Sequence, residues 1–124
     1  MAAAKRTSVP EDRLARYRSL LEAVPEVAEK ANFGAAYTAV NGNMSSMISK
    51  HGVVGLRLPP DERAPFIERY RTDLFRGDPA WPPAKEFIAV PDDLLERTGE
   101  LAPYLARAHA YTLTLKPKPA KRPR

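Results

Sequence analysis

The sequence predicts an α+β domain: two layers, an antiparallel sheet covered by helices on one face, in the order α-β(3)-α-β(2)-α. Three observations lead there. Residues 33–58 divide into three short β-prone runs at two turn signals, Asn41-Gly42 and His51-Gly52. Apolar residues at helical spacing bracket them, with Leu14, Tyr17, Leu21 and Val24 before and Leu101, Leu105, Ala108, Thr112 and Leu115 after. A further β-prone run, residues 84–90, ends at Pro91. Strands that cluster in sequence, with helices at their flanks, favour α+β over the strict alternation of a parallel sheet.

At 124 residues and 44% hydrophobic content the chain suits one domain with one core. Residues 1–9 read as a disordered lead, 10–115 as the folded domain and 116–124 as a disordered basic tail. Ser8-Val9-Pro10-Glu11 fits a capping box, which starts the first helix; Pro25 stops it. Residues 26–32 read as a connector. In the run 33–40, Phe33, Ala35, Tyr37 and Ala39 share one face. Asn41-Gly42 demands φ > 0 at both central positions of a two-residue turn. The run 44–49 follows, with Met44 and Ile48 on one face and Met47 on the other. After the His51-Gly52 turn, Val54, Leu56 and Leu58 line one face of the third run.

Pro59 to Pro65 places prolines and the acids Asp61 and Glu62 where a helix begins, and Phe66, Ile67 and Tyr70 give that helix an apolar edge ending near Arg71. Residues 72–83 are turn-rich, with a short strand at Leu74-Phe75. Asp92-Asp93-Leu94-Leu95 opens a short helical segment that breaks at Thr98-Gly99, and the final helix runs over 101–115.

The net charge of +5 is concentrated at one end. Lys116, Lys118, Lys121, Arg122 and Arg124 stand among the last nine residues, which contain no acid, so residues 1–115 are neutral in sum. The calculated pI of 9.7 therefore describes a neutral body with a basic tail. Lys-Pro alternation keeps such a tail extended and solvated. It is a solubilising end or a site of weak, salt-sensitive contact with nucleic acid. Zero cysteines exclude disulfides, thiolate zinc sites and thiol nucleophiles. No apolar run approaches the roughly 20 residues that span a bilayer, and no h-region follows the first six residues. A cytoplasmic location, away from membranes, is expected.

Residue types that carry chemistry are present without the spacing that chemistry needs. His51 falls in a turn and His109 in a helix, with no second histidine one helical turn away to build a zinc site. Ser45 and Ser46 lie mid-strand, without an activating base in reach by sequence. Lys85 and Glu86, adjacent in a strand, point to opposite faces unless a bulge intervenes. Gly52-Val-Val-Gly55 enters a strand and not a helix, so it is no phosphate cradle. No cofactor and no catalytic set are expected. Trp81, flanked by prolines, reads either as a plug over one end of the sheet or as an interface anchor. Arg57, Arg63, Arg69 and Arg71 could form a basic patch beside the tail.

The order of short motifs resembles a known family. Asn32-Phe33-Gly34-Ala35, Val40-Asn41-Gly42-Asn43-Met44 and Gly55-Leu56-Arg57-Leu58-Pro59 are similar to the N-terminal domain of the TfoX (Sxy) bacterial competence regulators, and Ala84-Lys85-Glu86-Phe87-Ile88-Ala89-Val90-Pro91 resembles its second block. The resemblance covers residues 10–115. It implies a secretion-chaperone-like α+β fold and a bacterial protein tied to transcriptional regulation of DNA uptake, with no enzymatic activity to carry over. Phe33, Gly34, Gly42, Met44, Leu56, Arg57, Leu58, Lys85 and Glu86 carry the motifs. The leading expectation is thus a non-enzymatic interaction domain whose partner is a protein or a second copy of itself. Nucleic-acid binding through the tail and the arginines is the alternative.

Overall fold

A computed structural model of the chain describes residues 9–27, 29–32 and 35–117, with the backbone alone at 30–32 and 35. Phe33, Gly34, Ser8 and the tail from residue 118 lie outside the described residues. The elements are α1 (Glu11–Glu22), β1 (Glu29–Asn32), β2 (Ala35–Val40), β3 (Asn43–Ile48), β4 (Val54–Leu56), α2 (Pro60–Tyr70), β5 (Leu74–Phe75), β6 (Ala84–Val90), α3 (Asp92–Leu95) and α4 (Thr98–Leu113). The six strands form one antiparallel sheet in the order β1-β2-β3-β4-β6-β5. The expected α+β architecture holds, with three corrections to its elements and one, in β3, to which residues share a face.

The first is β1. Residues 26–32 are not a plain connector: Glu29 to Asn32 pair with β2, with Asn32 opposite Ala35. The second is the entry to α1. Its N-cap is Pro10, without a side-chain cap, instead of Ser8; the Pro10 carbonyl accepts the Leu14 N–H, and a φ of −57° already suits a helix start. The third is α4, which begins at Thr98. Gly99 sits in its first turn, where a side chain would meet nothing, so the glycine interrupts no packing there.

The turns obey their residue types. Asn41 and Gly42 both have positive φ, 55° and 81°, as the tight hairpin between β2 and β3 requires. Gly52, at φ 85°, closes the β3–β4 turn against the Arg13 side chain.

Among the described residues, the four helices lie against one face of the sheet and none covers the other. Tyr17, Leu20 and Leu21 of α1, Phe66 of α2, Leu94 and Leu95 of α3, and Leu101, Leu105 and Ala108 of α4 join one cluster with Ile48, Val54, Leu56, Ile88 and Val90 from the strands. Full burial of each such aliphatic side chain stabilises the fold by about 1.5–3 kcal/mol. At β2 and β3 the inner face changes character. A bulge shifts the register after Thr38, so that Thr38 meets Ser46 while Ala39 meets Met44, leaving Ser45 as the extra residue. Met44 therefore shares a face with Met47 and not, as plain alternation predicts, with Ile48. Ser45 and Ser46 are both fully buried, and Thr38 is 1% exposed. Their hydroxyls link into a chain: Thr38 Oγ1 lies 2.6 Å from Ser45 Oγ and 2.7 Å from Ser46 Oγ, which lies 2.7 Å from the Tyr17 hydroxyl. Burial pushes the Tyr17 phenol well above its ordinary pKa, although the bonds to Ser46 and Thr38 pull the other way.

Candidate functional site

The helix-free face of the sheet collects the features that the core does not explain. Its central row follows from the strand register: Tyr37 opposite Met47, Met47 opposite Gly55, Gly55 opposite Ala89. Ala39 and Met44 form the next pair. Tyr37 and Ala39 of β2 thus point away from the helices, and Ala36 and the hydroxyl of Thr38 point toward them. An antiparallel sheet with one solvated face ordinarily shows the reverse, apolar inward and polar outward. Tyr37, Met44 and Met47 are half-buried on this face.

Beside that row lies a small second core. A Cβ added to Gly55 would stand 2.7 Å from the Phe75 ring, so the glycine is the hollow into which that ring fits. Phe75 packs against Phe87, with ring centroids 6.4 Å apart, and the two are 2% and 8% exposed. The Arg57 guanidinium stacks over Phe87 at 4.9 Å. Its Nε donates to the Met44 carbonyl at 2.8 Å and its Nη1 to Glu86 Oε1 at 2.6 Å. Met44, Arg57 and Glu86, from three separate sequence blocks, therefore meet at one guanidinium. Strand β6 makes this reachable: its pairing with β5 jumps from Leu74–Ile88 to Phe75–Ala84, and Glu86 sits within the irregular stretch. Lys85 is exposed and makes no ion pair among the described residues. Leu56 and Leu58 belong to the main core, both fully buried.

The β5–β6 connection, residues 76–83, folds back as a strap toward the β3–β4 turn. Its centre is Asp78. Asp78 Oδ1 accepts the Ala80 N–H at 2.9 Å, the Asp78 carbonyl accepts the Trp81 N–H at 2.9 Å, and Oδ2 faces His51 Nε2 at 3.4 Å. Arg76 Nη1 donates to the Trp81 carbonyl at 2.5 Å. The Trp81 ring leans on Gly77, yet the residue is 60% exposed, the most exposed large apolar residue described. Of the two readings open for Trp81, the plug is excluded. Under the strap, Val53, Leu74, Pro79 and Ala89 form the apolar part of a cleft of about 280 Å³, with His51, Asp73 and Arg76 at its polar margin.

The remaining candidates lie elsewhere. Arg63 on α2 donates through Nε to the Leu58 carbonyl at 2.8 Å and leans toward the Tyr111 hydroxyl at 3.5 Å. Arg69 stacks on Tyr70, and Arg71 ends α2 in the left-handed conformation. These three belong to the helix layer, on the other side of the sheet from Arg57, so the four arginines are not brought together. The Lys116 carbonyl accepts from Asn43 Nδ2 at 3.0 Å, which ties the chain after α4 to the β2–β3 turn. Lys118, Lys121, Arg122 and Arg124 lie outside the described residues. His109 is half-buried on α4. Among the described residues no group of three His, Asp or Glu side chains could hold a metal ion, and no helix is long and apolar enough to cross a membrane.

Sequence reasoning passed over the His51–Asp78 pair and the Gly55–Phe75 contact, because neither follows from local spacing. The only available signal was composition: an aspartate between Gly77 and Pro79, and a glycine inside a strand, which marks a close approach. Comparison with protein-family models, curated proteins and solved structures finds no match to this chain.

Proposed function

We propose that this chain is a non-enzymatic, cytoplasmic protein-interaction domain that binds another protein through the helix-free face of its sheet, with Trp81 as the anchor. The observation that carries it is the outward orientation of Tyr37, Met44 and Met47 on β2 and β3. Tyr37, Met44 and Met47 stand where a free sheet would show polar side chains, and an apolar surface without a helical cover favours contact with a second apolar surface. Trp81 adds what interface anchors typically supply, a large exposed aromatic. Hydrogen bonds accepted by Asp78 and donated by Arg76 hold its loop, which lowers the ordering cost of binding. The partner is a protein presenting an apolar patch; Arg57, whose guanidinium borders this face, is already paired with Glu86. The resemblance to TfoX N-terminal domains adds a setting, regulation of transcription in a bacterium, and leaves the face itself as the contact.

The test is affinity capture with the full chain, after nuclease treatment and at moderate salt, comparing wild type with Trp81→Ala and Met47→Lys. Retention of a defined protein by wild type, and its loss in both variants while their melting temperatures stay close to wild type, is the expected result. Equal capture by all three overturns the assignment of the face. Recovery of nucleic acid alone, sensitive to nuclease and salt, moves the function to the tail and the arginines.

A further inference from the structure

We propose that His51 and Asp78 form a pH-dependent latch that holds the 76–83 strap, and Trp81 with it, against the β3–β4 turn. The inference rests on the Trp81 face being the binding surface and adds how its presentation is regulated.

Asp78 joins two systems. Its main chain and Oδ1 shape the turn that carries Trp81, and its Oδ2 meets the imidazole 27 residues earlier in the chain. Among the described residues this is the one ion pair between the strap and the β3–β4 turn. The Arg76–Trp81 bond lies inside the strap and does not tie it down. The Ala80 N–H, and after it His51, hold the Asp78 carboxyl below its ordinary range, so the acid side of the pair is ionised when the imidazole changes charge. The His51 side chain is 45% exposed and open to solvent.

The neighbouring charges set the sign. Lys50, on the same turn, draws Asp78 in the same sense as His51. Asp73 and Arg76, opposite in charge, line the cleft under the strap, together with the neutral Val53 of the β3–β4 turn and Ala89 of β6. From α1, Arg13 packs on Gly52 with its guanidinium engaged by Asp92 at 2.9 Å. Of these side-chain types only imidazole ordinarily changes charge between pH 5.5 and 8. Protonated His51 attracts the carboxylate and the strap is closed. Once the imidazole is neutral, a single long hydrogen bond and the charge of Lys50 remain, and the strap loosens. Acid closes the latch; mild alkali releases it.

Trp81 is the sole tryptophan, so its indole reports on the strap directly. Acrylamide quenching is followed from pH 8 to 5.5 in the full-length protein, for wild type, His51→Gln and His109→Gln. In wild type the open-to-closed ratio of the strap is expected to fall about two- to fivefold toward acid, the scale of a partly exposed ion pair, and the response should shrink in 1 M salt. His109→Gln keeps the response and His51→Gln abolishes it. A flat wild-type profile, or a response that survives in His51→Gln, overturns the latch. Neither outcome touches the interaction reading, which is decided separately by capture with Trp81→Ala.

Discussion

In β4 and β6 the side chains that face the helices are Val54, Leu56, Ile88 and Val90; in β2 and β3 they are Ala36, Thr38, Ser45, Ser46 and Ile48. One half of the sheet is built as a hydrophobic layer. The other half puts three hydroxyls inward and Tyr37, Met44 and Met47 outward. The halves share one sheet and one set of helices, so packing alone does not account for the difference. The conventional half supplies four fully or nearly fully buried aliphatic side chains to the core, Val54, Leu56, Ile88 and Val90. In the inverted half, the bulge at Ser45 turns two consecutive serines inward, and Tyr17 and Thr38 satisfy them, so that polar residues can be buried without an orphaned group. That arrangement frees the apolar side of the hairpin for the outer face. Inverting polarity in this way costs core area and leaves an apolar outer face, the surface the proposed partner would cover.

Substitutions in the two halves should separate stability from binding. Leu56→Ala, in the conventional half, is expected to lower unfolding free energy by about 2–5 kcal/mol in urea denaturation. An equal loss from Met47→Ala would erase the distinction. Gly55→Ala, where the added methyl meets the Phe75 ring, should cost about 1–3 kcal/mol, and Phe75→Leu in the same chain should recover part of it. Ser46→Ala leaves the buried Tyr17 hydroxyl without its nearest partner and should cost about 1–3 kcal/mol. Combining it with Tyr17→Phe should cost less than the sum of the two, since each removes the other's stranded group.

The same phenol gives the inverted half a pH signature. Its folded pKa is raised above the unfolded value near 10, by burial first. Its contribution is fully present below about pH 10 and is lost as pH rises through the folded value. Tyr70 behaves in the same sense, raised by burial and then by its bond to Glu100. Tyr17→Phe should therefore remove part, and not all, of the alkaline loss of stability seen in thermal melts. The smallest effect on stability belongs to the outer face: Tyr37→Thr and Met47→Ser should change it by about 0.5 kcal/mol or less while abolishing partner capture.

Much of this frame was legible in the sequence because its signals are local. Asn41-Gly42 fixes a tight hairpin, Pro59-Pro60 with two acids opens a helix, and Val54, Leu56 and Leu58 alternate into the core as read. Strand β1 escaped because Glu29-Lys30-Ala31-Asn32 has no apolar alternation; it exists through pairing with β2. The polarity of β2 escaped for a different reason. Alternation shows that Tyr37 and Ala39 share a face, but which face meets the helices depends on a bulge and on a tyrosine from α1, neither of which is local. At the candidate site, Trp81, Arg57 and Glu86 were visible as residue types. Their meeting places were not, because Arg57 joins Glu86 across 29 residues and His51 joins Asp78 across 27.

The most direct measurement uses the two methionines of the outer face. Protein carrying ¹³C-methyl methionine is observed by NMR alone and after addition of the partner recovered by capture. Shifts or broadening of the Met44 and Met47 methyl signals on complex formation are expected if the outward hairpin face is the contact. A complex that forms with both signals unchanged would contradict it and leave the inverted polarity of β2 and β3 without a functional reason.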